Sequence, residues 1–206
     1  MKTDRISTPY SFSSEERKII SSKYKKSKDW SKPVFDEIKK NIISHLRNEQ
    51  ENTCCYCKTK LGFDKQCVDI EHIVSRKEDY RFGFEPLNLA LSCKACNSAK
   101  SVKPVRRKAL SKYSSLASDY LIVHPHFHNY SDNIEIIDRF IFKGKTVEGK
   151  KTIKYCKLDR LKNVEQKAKE YFLKSNDSSG YFKLLLDRGL SVIECDDIIK
   201  KIKNVI

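Results

Sequence analysis

No apolar run in this 206-residue sequence approaches the ~20 residues a bilayer-spanning helix needs, so no membrane segment is expected. The N-terminus, Met1-Lys2-Thr3-Asp4-Arg5, leads into no apolar stretch of the secretory kind, and the expected location is the cytoplasm. A Gly-rich phosphate-binding loop is missing, which excludes ATP use by the sequence itself. Internal repeats and low-complexity segments are missing too. No helix-turn-helix or finger-type reader is evident, which argues against a restriction or homing enzyme with its own sequence specificity. Carboxylates are few: Asp and Glu number 27 against 42 Lys and Arg, for a formal net charge of +15.

Such an excess calls for an anionic partner, and nucleic acid is the commonest one. The cations are also placed unevenly. Between Lys94 and Lys108 stand Lys94, Lys100, Lys103, Arg106, Arg107 and Lys108, with no carboxylate among them. Apolar residues make up 39% and charged residues 33%, which describes a folded domain rather than a disordered chain. Eight cysteines in a reducing compartment point to metal ligation rather than disulfides.

The local patterns predict an α+β chain in three segments: a helical lead-in over 1–51, a core over 52–108, and a hairpin with helices over 109–206. Ser13-Ser14-Glu15-Glu16 resembles a capping box and starts a basic helix to about Lys28. Ser31 and Pro33 open a second helix, whose Val34, Phe35, Ile38, Ile42 and Leu46 recur at helical spacing. Gln66–Ile73 alternates as a strand, with Val68 and Ile70 on one face and Asp69 and Glu71 on the other. Residues 75–86 form a loop, Leu87–Leu91 a second strand, and a helix follows from about Ala95 to Pro104. Further on, Ile134–Phe142 and Val147–Leu158 read as two strands around the turn residues Gly144 and Gly149. Helices are expected over 159–173, over 181–188 and after the capping box Ser191-Val192-Ile193-Glu194. Cys67, Cys156 and Cys195 are expected as small core residues.

The chemistry concentrates in the middle segment. Cys54-Cys55-Tyr56-Cys57 and Cys93-Lys94-Ala95-Cys96 are two C-x-x-C knuckles, enough for one zinc ion held by four thiolates. Cys55 competes with Cys54, but the two-residue spacing favours Cys54 with Cys57. Four thiolates leave the ion no open position, so its role is structural. Within this frame stand Glu71-His72 and Asn88, and Asn97 follows the second knuckle directly.

Together, Cys54-x-x-Cys57, Glu71-His72, Asn88, Cys93-x-x-Cys96-Asn97 and Lys100 resemble the HNH endonucleases of ββα-metal fold. The resemblance covers about 52–104, and the motif letters fall on His72, Asn88 and Asn97. It implies hydrolysis of DNA phosphodiester bonds with 5′-phosphate products. Such hydrolysis needs an activated water and relief of charge on the phosphate and the leaving oxygen. His72 is the expected general base, since an imidazole of pKa ~6.5 takes a proton from water near neutral pH. Glu71 and Asn97 offer hard oxygen ligands for one Mg²⁺ or Mn²⁺. Asn88 either fixes the imidazole or braces the loop through backbone contacts. Lys94, Lys100, Lys103, Arg106 and Arg107 are expected to grip phosphates, against the plainer reading of a solvated helix face. Asp69 is either a further acid near the metal or an outward, solvated residue.

His124-Pro125-His126-Phe127-His128 is a second histidine cluster, better read as a structural or substrate-facing loop than as a metal site. The whole layout more loosely resembles the HNH subunits of Septu and retron-linked anti-phage systems, which implies a separate regulatory ATPase. The alternatives are a zinc-stapled nucleic-acid-binding module without catalysis, and an HNH ribonuclease.

Overall fold

A computed structural model describes residues 4–64, 67–109, 111–137 and 141–160. The chain divides into two units: 1–135 with 143–158, and 136–142 with 159–206. The first holds parts of all three segments expected from sequence. Of the second, only 136, 137, 141, 142, 159 and 160 are described. The helices expected within 161–206, and Cys195, lie outside the described residues.

The lead-in is helical. Helix α1 spans Ser14–Lys23 and starts with a true capping box: Glu16 N–H donates to Ser13 Oγ, and Ser13 N–H donates to the Glu16 carboxylate. It ends at Tyr24, earlier than the expected Lys28, and the chain turns through 3-10 segments at Ser27–Ser31 and Pro33–Phe35. Helix α2, Asp36–Glu49, buries Ile38, Ile42 and Leu46 on one face, with Phe35 buried just before it. The helical stripe thus becomes the core, and only Val34 stays exposed. Glu16 joins the two helices by accepting from Asn41 Nδ2 and from Tyr10 Oη.

Strands β1 (Asp69–His72) and β2 (Leu89–Ser92) pair antiparallel. Glu71 lies opposite Ala90, and His72 opposite Leu89. All of β2 is buried. Its Leu91 is held from outside the pair: Gln50 Oε1 accepts from Leu91 N–H, while Gln50 Nε2 and Cys55 N–H both donate to Leu91 O. One buried side chain therefore joins the end of α2, the first knuckle and β2. Helix α3, Lys94–Lys100, follows β2 directly and stops at Ser101, whose φ of 49° is left-handed. The loop between the strands contains two short 3-10 turns, Tyr80–Phe82 and Pro86–Asn88.

Two expectations beyond the core are corrected. The segment expected as one strand over Ile134–Phe142 carries two: β3 at Ile134–Ile137 and β4 at Ile141–Gly144, paired in a sheet and preceded by the short helix α4 at Tyr130–Asn133. The strand expected at Val147–Leu158 is helix α5, Val147–Cys156. Thr146 caps it by accepting from Gly149 N–H, and Gly149, Thr152 and Cys156 share its buried face at helical spacing. Gly149, expected as a turn residue, instead stands in the first turn of α5, where its N–H is the one Thr146 caps. Cys156 is buried as expected, whereas Cys67 is exposed, in the turn before β1.

Candidate active site

The two knuckles meet. The sulfurs of Cys54, Cys57, Cys93 and Cys96 all lie within 4.8 Å of one another, and Cys57 Sγ is 3.8 Å from Cys93 Sγ. Zn–S bonds of about 2.3 Å in a tetrahedron place neighbouring sulfurs about 3.8 Å apart, so the donor set fits zinc. Hydrogen bonds from the other three thiols hold Cys57 strongly toward the thiolate, and the pKa values of Cys54, Cys93 and Cys96 are raised in turn. Cys55 is buried outside the tetrad. Cys93 also stands at the N-cap of α3, so the same sulfur that ligates would set where the helix begins.

His72, at the end of β1, is 8% exposed. Its Nε2 lies 3.0 Å from Gly83 O. A carbonyl only accepts, so Nε2 carries the hydrogen, and in the neutral ring Nδ1 carries the lone pair. Trp30 meets the imidazole edge-to-face at 4.5 Å. Burial, reinforced by the charge of Arg76, pushes its pKa down to about 3. The ring is therefore neutral throughout the physiological range. Gly83 is required by space: a Cβ there would clash with the Tyr24 ring at Oη and Cζ.

Glu71 and Lys100 form a buried ion pair of 2.6 Å, each 1% exposed. Lys100 Nζ also donates to His72 O, and Tyr56 Oη donates to Glu71 Oε1 at 3.2 Å. Lys100 thus differs from its expected place as an outward phosphate contact: its ammonium neutralises a buried carboxylate, the only arrangement in which both charges tolerate removal from water. Burial raises the Glu71 pKa, and Lys100 opposes that shift. Glu71 Oε2 has no hydrogen-bond partner among the described residues. Asn97 donates through Nδ2 to Asp69 Oδ2 at 2.8 Å, which leaves its Oδ1 as an acceptor. Both oxygens are of the hard type a divalent cation takes, and of the two residues only Asn97 lines the cleft that opens beside His72.

Asn88 is fully buried and does not touch the imidazole. Its Oδ1 accepts from Val74 N–H, and its Nδ2 donates to Val74 O and Phe82 O, so it fastens both ends of the loop that carries Gly83. Sequence reasoning missed what stands behind it. His126 N–H donates to His124 Nδ1, so His124 Nε2 carries hydrogen and donates to Tyr113 Oη, whose hydroxyl donates to Asn88 Oδ1. His128 Nδ1 accepts from His124 N–H, and His126 Nε2 donates to Leu89 O. The histidine cluster therefore braces the core. Among the described residues its nitrogens do not converge as a metal site.

A cleft of about 540 Å³ opens beside His72 and Asn97. Lys100 reaches its wall, with Ser75, Arg76 and Lys77 from the loop and Ser27 and Lys28 from the lead-in. None of the sequence signals identified Arg76, Lys77 or Lys28. The cations that were expected at the phosphates mostly face carboxylates: Lys94 meets Asp69, Arg106 meets Glu78 and Asp79, and Arg107 meets Glu148. Lys103 donates to the carbonyls of Ala99 and Tyr155.

With this geometry in hand, the family comparison is specific. Residues 54–103 match the HNH endonuclease family model. The match takes in both knuckles, His72, Asn88 and Asn97. Over 132 residues the chain is also 24% identical to the Septu protein PtuB of Bacillus thuringiensis, an alignment spanning 64% of this chain and 44% of that protein. The chain thus matches less than half the length of that relative. No solved structure matches it significantly. These findings support a nuclease of the HNH family with a potential zinc-binding cysteine cluster. Among the described residues no helix is long and apolar enough to cross a membrane.

Three outcomes are expected. Cys57→Ser or Cys93→Ser abolishes stoichiometric zinc and the cooperative unfolding transition together, measured by metal analysis and circular dichroism; a variant that loses the metal yet unfolds like the parent contradicts a structural role. Lys100→Met strands the Glu71 charge and costs about 3–5 kcal/mol in urea unfolding, against near-neutrality if the pair were solvated. The lowered pKa of His72, and those of His124 and His126, mean that the unfolded chain binds more protons than the folded one below pH ~6.5. The stability these neutral rings contribute is complete above pH ~6.5 and is lost as pH falls toward about 3 for His72. With zinc kept saturating, the urea midpoint therefore declines between pH 7 and pH 5; a flat profile contradicts burial of the neutral rings.

Proposed function

We propose that the chain is a divalent-cation-dependent endonuclease that hydrolyses DNA phosphodiester bonds, with His72 as general base. One observation carries this reading: a neutral imidazole, anchored through Nε2 on Gly83 O, stands in the wall of a cleft that contains cations and Asn97 but, among the described residues, no carboxylate. Its Nδ1 lone pair accepts a proton from water as that water attacks phosphorus. Burial and Arg76 keep the ring weakly basic while the cleft holds no anion. An entering phosphate reverses that bias, because a nearby negative charge favours imidazolium. The rise of activity with pH, expected near the ordinary imidazole pKa, accordingly moves to lower pH in the free protein.

Asn97 lines the cleft and its Oδ1 would hold the cation there, whereas Glu71, 1% exposed and outside the cleft lining, would reach it through Oε2, unpartnered among the described residues. Bound Mg²⁺ or Mn²⁺ would supply Lewis acidity at a phosphate oxygen and at the leaving oxygen. Lys100 keeps Glu71 ionised beside it, and Asn88 acts as a positioning residue through the loop rather than on the ring. Likeness to a Septu protein supports a role as the nuclease effector of a bacterial anti-phage system. A separate ATPase subunit would gate it, since the chain carries no phosphate-binding loop of the Walker type.

Purified protein incubated with plasmid, single-stranded DNA and RNA is expected to cut DNA with Mg²⁺ and not with EDTA. His72→Ala is expected to lower the cutting rate by about 10²–10⁴-fold while leaving zinc content and the circular dichroism spectrum intact. Cutting at the parent rate would remove His72 as the base. Preferential cutting of RNA would make the chain a ribonuclease, and salt-sensitive binding with no product under any condition would make it a binding module.

A further inference from the structure

The cations near the site differ in their partners. Lys94, Arg106 and Arg107 stand within 4 Å of carboxylates, and Lys100 is buried against Glu71. Lys28, Arg76 and Lys77 have no carboxylate within that distance among the described residues, and no carboxylate lines the cleft they share with His72. In a protein of net charge +15, cations that lack a neutralising partner contribute most to the local potential, and three of them share this cleft.

Arg76 is also held in place. Its Nη1 donates to Ser27 O at 2.8 Å, and its guanidinium lies over the Trp30 ring at 5.2 Å. Trp30 packs edge-to-face on His72, so a single indole sets the spacing between the guanidinium and the imidazole. Its remaining N–H groups form a planar fork of the kind that binds phosphate. Lys28 and Lys77 are exposed and line the same cleft as point charges. The cleft has the volume of a small-ligand pocket, which suits a short stretch of one strand rather than a whole duplex.

We propose that Lys28, Arg76 and Lys77 form a second phosphate site, which holds a backbone phosphate of the cut strand next to the one that His72 addresses. The proposal rests on the nuclease reading above and adds a contribution from the lead-in, outside the HNH-matching segment 54–103. The site neutralises the flanking phosphate, fixes the register of the strand along the cleft, and reads no base.

The test uses the full chain in the His72→Ala background, where binding is measured without cutting, and a short fluorescein-labelled single-stranded DNA as probe. Adding Lys28→Ala and Lys77→Ala is expected to weaken binding on the order of tenfold at low salt and to reduce the slope of log affinity against log salt by about 1.4–2. Lys28→Arg with Lys77→Arg is expected to restore both quantities. In the background with His72 present, the double alanine variant raises KM with little change in kcat, as removal of uniform binding requires. Unchanged affinity and salt slope in the double alanine variant overturn the second phosphate site while leaving the nuclease reading intact. Failure of the His72→Ala parent itself to bind DNA overturns the reading on which the site rests.

Discussion

Two pieces of chain 36 residues apart in sequence bring their sulfurs to 3.8 Å, and the rest of the site is built on that closure. The knuckle at Cys54–Cys57 has little regular structure of its own, and α3 is a seven-residue helix. Neither would hold its place by propensity, since helices this short are marginal without tertiary support. A tetrad that fits zinc ties the start of α3 to the knuckle, while Gln50 ties the knuckle region to β2 through Leu91. Asn97 and Lys100 then project from a helix whose first turn is fixed, toward the strand that ends in His72.

From that anchor the electrostatics follow in layers. Innermost is the Glu71–Lys100 pair, closed to water and touching the backbone of His72. Next is the neutral imidazole, kept so by burial and by Arg76. Outermost are Lys28, Arg76 and Lys77, with no carboxylate within 4 Å among the described residues. This arrangement keeps the cations without a carboxylate partner at the surface and avoids burying a lone cation, which would cost several kcal/mol. The histidine cluster serves the same arrangement from behind: His124, Tyr113 and Asn88 form a hydrogen-bonded chain whose final donors land on Val74 and Phe82 carbonyls, in the loop that presents Gly83.

Much of this was legible in the residues. The C-x-x-C spacings, the Glu71-His72 pair and the order of Asn88 and Asn97 are local or ordered patterns, and the HNH-matching segment at 54–103 carries all of them. The capping box at Ser13 and the α2 stripe were legible because hydrogen-bond geometry and 3.6-residue periodicity are properties of contiguous residues. Helix α5 was hidden by Gly149, which reads as a turn residue in sequence but is accommodated inside the helix, buried on the face it shares with Thr152 and Cys156. Asn88 was left between two roles, since spacing alone does not say whether an amide reaches a ring or a backbone.

The sequence by itself determined the donor set for zinc, the adjacent acid and imidazole of Glu71-His72, and an overall positive charge. Tertiary structure alone decided which cations are spent on carboxylates and which remain for a ligand. Pairing of Lys100 with Glu71, Arg106 with Glu78 and Arg107 with Glu148 joins residues 28 to 41 positions apart, and Arg76 reaches Ser27 across 49. A charge counted along the chain carries its sign but not its neighbours, and in a medium of low dielectric the neighbours set the field.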